Sequence, residues 1–169
     1  MLILYSKLIG APIAEIKEAA KLGSITDFVI NNDDLTIAAA VVEIGLPLIS
    51  KKKIVSATDF VRIFKDGIIV SSDDAIVELD EIVRVAKLYE QKCHGLAQKV
   101  VTKSGQYIGH VYDYLINSNT GAIQKFYVKK MFTDRIIPAS AVISMEGKLI
   151  TIKDDKPYVF VPTVETALD

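Results

Sequence analysis

Residues 99–130 read as three apolar runs separated by two polar turns. The first run ends at Thr102, and Lys103-Ser104-Gly105-Gln106 is polar and carries a glycine, which marks a turn. Residues 107–117 are rich in aromatic and aliphatic side chains that suit a pleated, half-buried surface. Ser118-Asn119-Thr120-Gly121 is a second turn, with Asn and Gly able to take positive φ, and residues 122–128 form the third run. The pattern predicts a β-meander.

The same pattern occurs earlier in the chain. Leu22-Gly23-Ser24-Ile25-Thr26-Asp27-Phe28-Val29-Ile30-Asn31 matches Ile108-Gly109-His110-Val111-Tyr112-Asp113-Tyr114-Leu115-Ile116-Asn117, with Gly, Asp and Asn recurring at one spacing. The turn at Asn32-Asp33-Asp34 answers residues 118–121, and residues 35–42 answer 121–128. Ile54-Val55-Ser56-Ala57 resembles Ile136-Ile137-Pro138-Ala139, and Lys65-Asp66-Gly67 before an apolar run resembles Glu146-Gly147-Lys148. Two copies of one unit are therefore expected. Residues 15–21 would be helical by propensity alone. The repeat instead places them where residues 102–107 form a hairpin loop, so strand, loop and strand are predicted there.

Between the copies, Ile82, Val85, Ala86 and Tyr89 recur at helical spacing, predicting an amphipathic helix with Asp80 as N-cap and Gly95 as its stop. The β-branched Ile82, Val83 and Val85 leave an extended linker as the alternative. Such a helix would bridge the units and cover an end of one barrel. Residues 153–163 form an extended segment between two prolines, readable as an edge strand on the second unit. The resulting division is residues 1–79 for the first copy, 80–94 for the linker, 95–163 for the second copy and 164–169 for a frayed tail.

A Gly at a strand start lets the backbone bend sharply or approach a neighbour closely. An Asp within an apolar strand is costly to bury without hydrogen bonds. Gly23, Asp27, Gly109 and Asp113 are thus read as structural positions, with the two carboxylates tying a neighbouring loop or facing outward. Short strands with such kinks close most simply as a small barrel. The expected fold is all-β: two small barrels in tandem, joined by a short helical or extended linker.

At Lys99-Val100-Val101-Thr102-Lys103-Ser104-Gly105-Gln106-Tyr107-Ile108-Gly109-His110-Val111-Tyr112-Asp113 the chain resembles the opening of the PRC-barrel domain, and Arg135-Ile136-Ile137-Pro138 resembles its later half. The first copy departs at residues 15–21, which lack the turn glycine and are Ala-rich. The resemblance implies barrels without catalytic machinery that act as adaptors. Relatives occur in the photosynthetic reaction centre H subunit, in the C-terminal half of ribosome maturation factors, and in stand-alone proteins of sporulation or archaeal cell division. Neither the separate N-terminal domain of the maturation factors nor the transmembrane helix of the reaction-centre subunit is read here.

Composition narrows the field. The 169-residue chain has a net charge of −1, whereas a dedicated nucleic-acid binder is usually more basic. The lone cysteine, Cys93, excludes an intramolecular disulfide and suits a reducing compartment. The N-terminus lacks a basic region of the signal-peptide kind, and no apolar run approaches the roughly 20 residues of a membrane span. A cytoplasmic protein is expected.

No catalytic, cofactor-binding or metal site is read. Cys93-His94 are sequence neighbours without a supporting motif, and with His110 they lack zinc-type spacing. The pairs Asp33-Asp34, Asp73-Asp74 and Asp154-Asp155 read as turn residues. Two basic clusters remain. Lys51-Lys52-Lys53 lies in the first copy; Lys125, Lys129, Lys130 and Arg135 lie in the second, interleaved with Tyr127 and Phe132. Such residues can guard an edge or hold phosphates and stack bases. Met131 and Phe132 either plug a barrel end or mark an interface, and Tyr158 and Phe160 carry the same ambiguity. The leading expectation is a non-enzymatic adaptor that binds a protein partner through an edge strand or the groove between barrels. The alternative is an RNA- or ribosome-associated factor, and self-association is a further partner class.

Overall fold

The computed structural model describes residues 1–17, 20–45 and 51–154, with Lys51 and Lys52 described by their backbone alone. The chain opens with strand β1 (Leu2–Leu4) and a single helical turn, α1 (Tyr5–Leu8). The first copy supplies β2 (Pro12–Glu15), β3 (Lys21–Asn31), β4 (Thr36–Ile44), β5 (Lys51–Ser56), β6 (Phe60–Phe64), β7 (Gly67–Val70) and β8 (Ile76–Val77). Helix α2 (Val83–Glu90) follows. The second copy supplies β9 (Lys99–Thr102), β10 (Tyr107–Asn117), β11 (Ile123–Lys130), β12 (Thr133–Pro138), β13 (Val142–Glu146) and β14 (Leu149–Ile152). The fold is mainly β, in two seven-stranded sheets, one ordered β6-β7-β2-β3-β4-β5-β8 and the other β12-β11-β10-β9-β14-β13 with β1 beside β10.

The repeat holds residue by residue. Ile13 faces Gly23 antiparallel and Ile68 parallel; Val100 faces Gly109 and Ile150 in the same way. Register shifts flank Asp27 in the β3–β4 pair and Asp113 in the β10–β11 pair. These bulges bend each long hairpin over its core. The chain leaves β2 at Glu15, turns at Ile16 and Lys17 and enters β3 at Lys21, as the repeat requires; residues 18 and 19 lie outside the described residues.

The two glycines hold the hairpins close. A Cβ on Gly23 would stand 2.8 Å from the Glu43 carbonyl oxygen, and one on Gly109 would stand 2.5 Å from that of Lys129. Gly109 also has φ +150°, where a side chain is strained in any case. Gly109→Ala should therefore cost about 2–3 kcal/mol in urea unfolding. Gly105→Ala is the control: φ is +90°, but beyond its chain neighbours no atom of the described residues lies within 4 Å of its Cβ position, so only the backbone cost of about 1 kcal/mol applies. Equal losses for the two would remove the close-approach argument.

The copies are not two beads on a string. Each is crossed by the segment that leads into the other. β1 pairs with β10 of the second copy, Ile3 opposite Ile116, while the Ile30 amide of the first copy donates to the Cys93 carbonyl. The hairpin turns meet across a pseudo-twofold: Ile37 N–H donates to Gly121 O, and Ile123 N–H donates to Leu35 O, both at 2.9 Å. One apolar core spans both copies, with Tyr5 set 4.7 Å from the Tyr114 ring and 6.0 Å from that of Phe28.

Helix α2 is formed, and its ends differ from the sequence expectation. Its N-cap is Ile82; Asp80 lies in a preceding 3-10 turn, Leu79–Glu81, closed by reciprocal bonds between Glu78 and Glu81. Its stop is Lys92 at φ +60°, not Gly95. Lys92 N–H donates to Tyr89 O and Cys93 N–H to Leu88 O, a Schellman closure with Leu88 and Cys93 buried together. Gly95 serves packing, since a Cβ there would meet Ile30 and Tyr114. The helix covers a sheet face rather than a barrel end: Val85 and Leu88 bury against Val29, Ala39, Val41 and Ile54.

Candidate interaction surface

Two strand carboxylates, Asp113 and Asp27, help to join the copies. The Asp113 side chain is 8% exposed. Its Oδ1 accepts from the backbone N–H of Ser6 (3.1 Å) and of Tyr114 (2.9 Å), and its Oδ2 accepts from Ser6 Oγ (2.6 Å). Asp27 mirrors it. Oδ1 accepts from Phe28 N–H (2.8 Å) and the Tyr5 hydroxyl (3.0 Å), and Oδ2 lies 3.1 Å from His94 Nδ1. Each carboxylate thus grips the arm leading into the opposite copy. Burial, then the charge of Asp27, push the Tyr5 phenol well above its ordinary pKa.

Cys93 and His94 do not meet as a thiol–imidazole pair. Cys93 is fully buried beneath α2, which raises its pKa, while His94 faces Asp27 and the edge of the Tyr89 ring. His110 stands on the exposed side of β10, 2.7 Å from the Tyr107 hydroxyl. Among the described residues, no three His, Cys, Asp or Glu side chains gather to hold a metal, and no helix is long and apolar enough to cross a membrane.

The basic and aromatic residues of the second copy lie on one hairpin. Met131 and Phe132 form its two-residue tip, because Lys130 pairs with Thr133. They are 80% and 94% exposed, and Met131 takes φ +54°. They plug nothing among the described residues. Lys129 points outward opposite Asp134, Tyr127 pairs with Ile136, and Lys125 pairs with Pro138. Lys130 is tied inward, its Nζ donating to Tyr107 O (3.3 Å) and lying over that ring, which Lys99 shares. Arg135 lies half-buried on β12. Lys53, of the other cluster, pairs with Glu78 at 3.3 Å; the Lys51 and Lys52 side chains, and residues 155–169 with Tyr158, Phe160 and the expected edge strand, lie outside the described residues.

The structure adds two residues that sequence reasoning missed. Tyr112 is exposed, its ring 6.1 Å from that of Tyr127. With Ile136 opposite Tyr127, the three form an apolar row across β10, β11 and β12. Aligned on the repeat, they stand where the first copy has Thr26, Val41 and Ile54, and that alignment was the available signal. The groove between the copies, lined by Phe60, Arg62, Ser118 and Asn119 among others, is the more polar surface.

The fold is a tandem of two β-barrel units whose joint is tied by the carboxylates of Asp27 and Asp113. A family model, the PRC-barrel domain, matches residues 1–76 and 96–159, most of the chain, and the protein belongs to the PRC-barrel family. A search of curated proteins finds no match.

Proposed function

We propose that this protein is a non-catalytic PRC-barrel adaptor that holds a protein partner on the β11–β12 hairpin of its second copy. The observation that carries the reading is the pair Met131 and Phe132, two large apolar side chains exposed at a tip whose backbone is itself in a costly conformation. The lone thiol, deep under α2, suits a reducing, cytoplasmic setting.

The test is affinity capture of the tagged protein from its host lysate, with and without nuclease. Met131→Ser combined with Phe132→Ser should reduce a nuclease-resistant partner at least tenfold. Because both residues are exposed, urea stability should stay within about 0.5 kcal/mol. Undiminished capture by the double variant overturns this choice of surface. RNA is the weaker alternative: Lys130 is already engaged by Tyr107, and Asp134 faces Lys129. A nuclease-sensitive partner with steeply salt-dependent binding would replace the protein reading, and recovery of the bait alone as an oligomer would replace it with self-association.

A further inference from the structure

The repeat allows one copy to show what fits the other. In the first copy the outer face of β3, β4 and β5, at Val29, Ala39, Val41 and Ile54, is buried under the apolar stripe of α2. Aligned on the repeat, the second copy presents Leu115, Lys125, Tyr127 and Ile136 at these positions, with Tyr112 alongside. Tyr112 is 47% exposed, and Leu115, Lys125, Tyr127 and Ile136 are only half-buried. No helix covers this face among the described residues.

The two faces differ in charge. Around α2 the first copy offers Asp33 and Asn31, and the helix answers with Arg84, whose guanidinium reaches Asn31 at 3.0 Å and Asp33 at 3.7 Å. The second copy has neutral Asn119 and Asn117 at those positions. It places Lys125 where Ala39 lies under the first helix, and outward-pointing Lys129 where the first copy has Glu43. Asp134, opposite Lys129, offsets part of this charge, whereas Arg135 pairs with buried Val128 and belongs to the other face.

We propose that the outer face of β10, β11 and β12 is a docking site for an acidic amphipathic helix of a partner protein, laid down as α2 is laid on the first copy. The helix would set an apolar stripe on Tyr112, Tyr127 and Ile136 and direct carboxylates at Lys125 and Lys129. This names the partner element for the adaptor reading above and rests on it. The mode is helix on an apolar surface, with i, i+3, i+4 anchors. Charge chooses the partner: a basic helix like α2 is repelled here, and an acidic one is repelled by Asp33 in the first copy.

The test uses two synthetic helical peptides bearing the apolar spacing of α2, one with Glu and one with Lys on its flanks, titrated into the full isotope-labelled chain. The acidic peptide should shift the amides of Tyr112, Tyr127 and Ile136 and bind at least tenfold more tightly than the basic one. Tyr112→Glu, an exposed change that leaves the core intact, should weaken it at least tenfold, and Lys125→Glu should reverse the charge preference. Ile143→Ser, an exposed change on β13 at the other end of the strand order, should leave peptide affinity within twofold, and because the peptides are titrated into the purified chain, failure here is separable from failure of lysate capture. Shifts elsewhere, or no charge preference, overturn the proposal. So does a photo-crosslinker at position 112 that couples to residues 155–169 of the same chain instead of to the peptide.

Discussion

Asp113→Ala is expected to remove about 3–4 kcal/mol of stability and to loosen the N-terminal arm from the second sheet. The carboxylate is almost fully buried and takes three donors, two of them backbone N–H groups. Hydrogen bonds to a charged group are worth about 1.5–3 kcal/mol each, and orphaned buried donors add their own desolvation cost. Asp113→Asn is the informative partner variant. Both backbone donors use Oδ1, so an amide oxygen can keep them, and the amide nitrogen can donate to Ser6 Oγ, which accepts as readily as it donates. Its cost should be only about 1 kcal/mol. Urea unfolding gives the energies, and hydrogen exchange at β1 reports the arm, whose few sheet bonds depend on Ser6 staying in place. An Asp113→Ala protein of parental stability and parental protection at β1 would show that apolar packing alone holds the arm.

This carboxylate also shows where sequence reading reaches and where it stops. An Asp in an apolar strand announces that some donor will meet it. The meander, the repeat and the turn glycines are local statements, each carried by neighbouring residues, and they were legible. The identity of the donor was not. Ser6 lies 107 residues from Asp113, and nothing local to either position records that the arms cross between copies. The boundary drawn at residues 1–79 assigns β1 to the first copy by sequence, whereas its hydrogen bonds are with the second sheet. The ends of α2 were misplaced for a related reason. Asp80 and Gly95 have the right chemistry, but a 3-10 turn uses the former, and the buried Leu88–Cys93 contact fixes the stop at Lys92, whose side chain gives no hint of positive φ. At the candidate surface, the basic residues and the apolar tip stand out by type. Tyr112 and Ile136 do not, because each reads as an ordinary strand residue. Their meaning appears only when α2 is seen to cover the matching face of the first copy.

Above pH 10 the protein should lose stability steeply, by about 2.7 kcal/mol for each further pH unit from Tyr5 and Tyr114 together. Tyr114 is fully buried, its hydroxyl without a hydrogen-bond partner among the described residues, and Tyr5 is 6% exposed. Burial is the main reason both phenols are pushed well above their ordinary range, with neighbouring carboxylates adding to it. In the unfolded chain each phenol ionises near pH 10. Below that pH both states are protonated and the native advantage is complete. Above it the unfolded state binds fewer protons than the native state, so stability falls with rising pH until the native phenols also ionise. Each tyrosine contributes about 1.4 kcal/mol per unit over that window. Phenolate absorbance should therefore rise for these two residues only as the fold is lost, in step with circular dichroism. Tyr114→Phe separates the ionisation from the packing. It removes a hydroxyl that makes no hydrogen bond among the described residues, so neutral-pH stability should hold or rise by about 1 kcal/mol, while the alkaline slope should fall by about 1.4 kcal/mol per pH unit. Tyr5→Phe lowers the slope by the same amount, but gives up the bond to Asp27 and should cost about 1–2 kcal/mol at neutral pH. A Tyr114→Phe protein with an unchanged alkaline slope would show that Tyr114 already ionises in the native state, which its place in the shared core forbids.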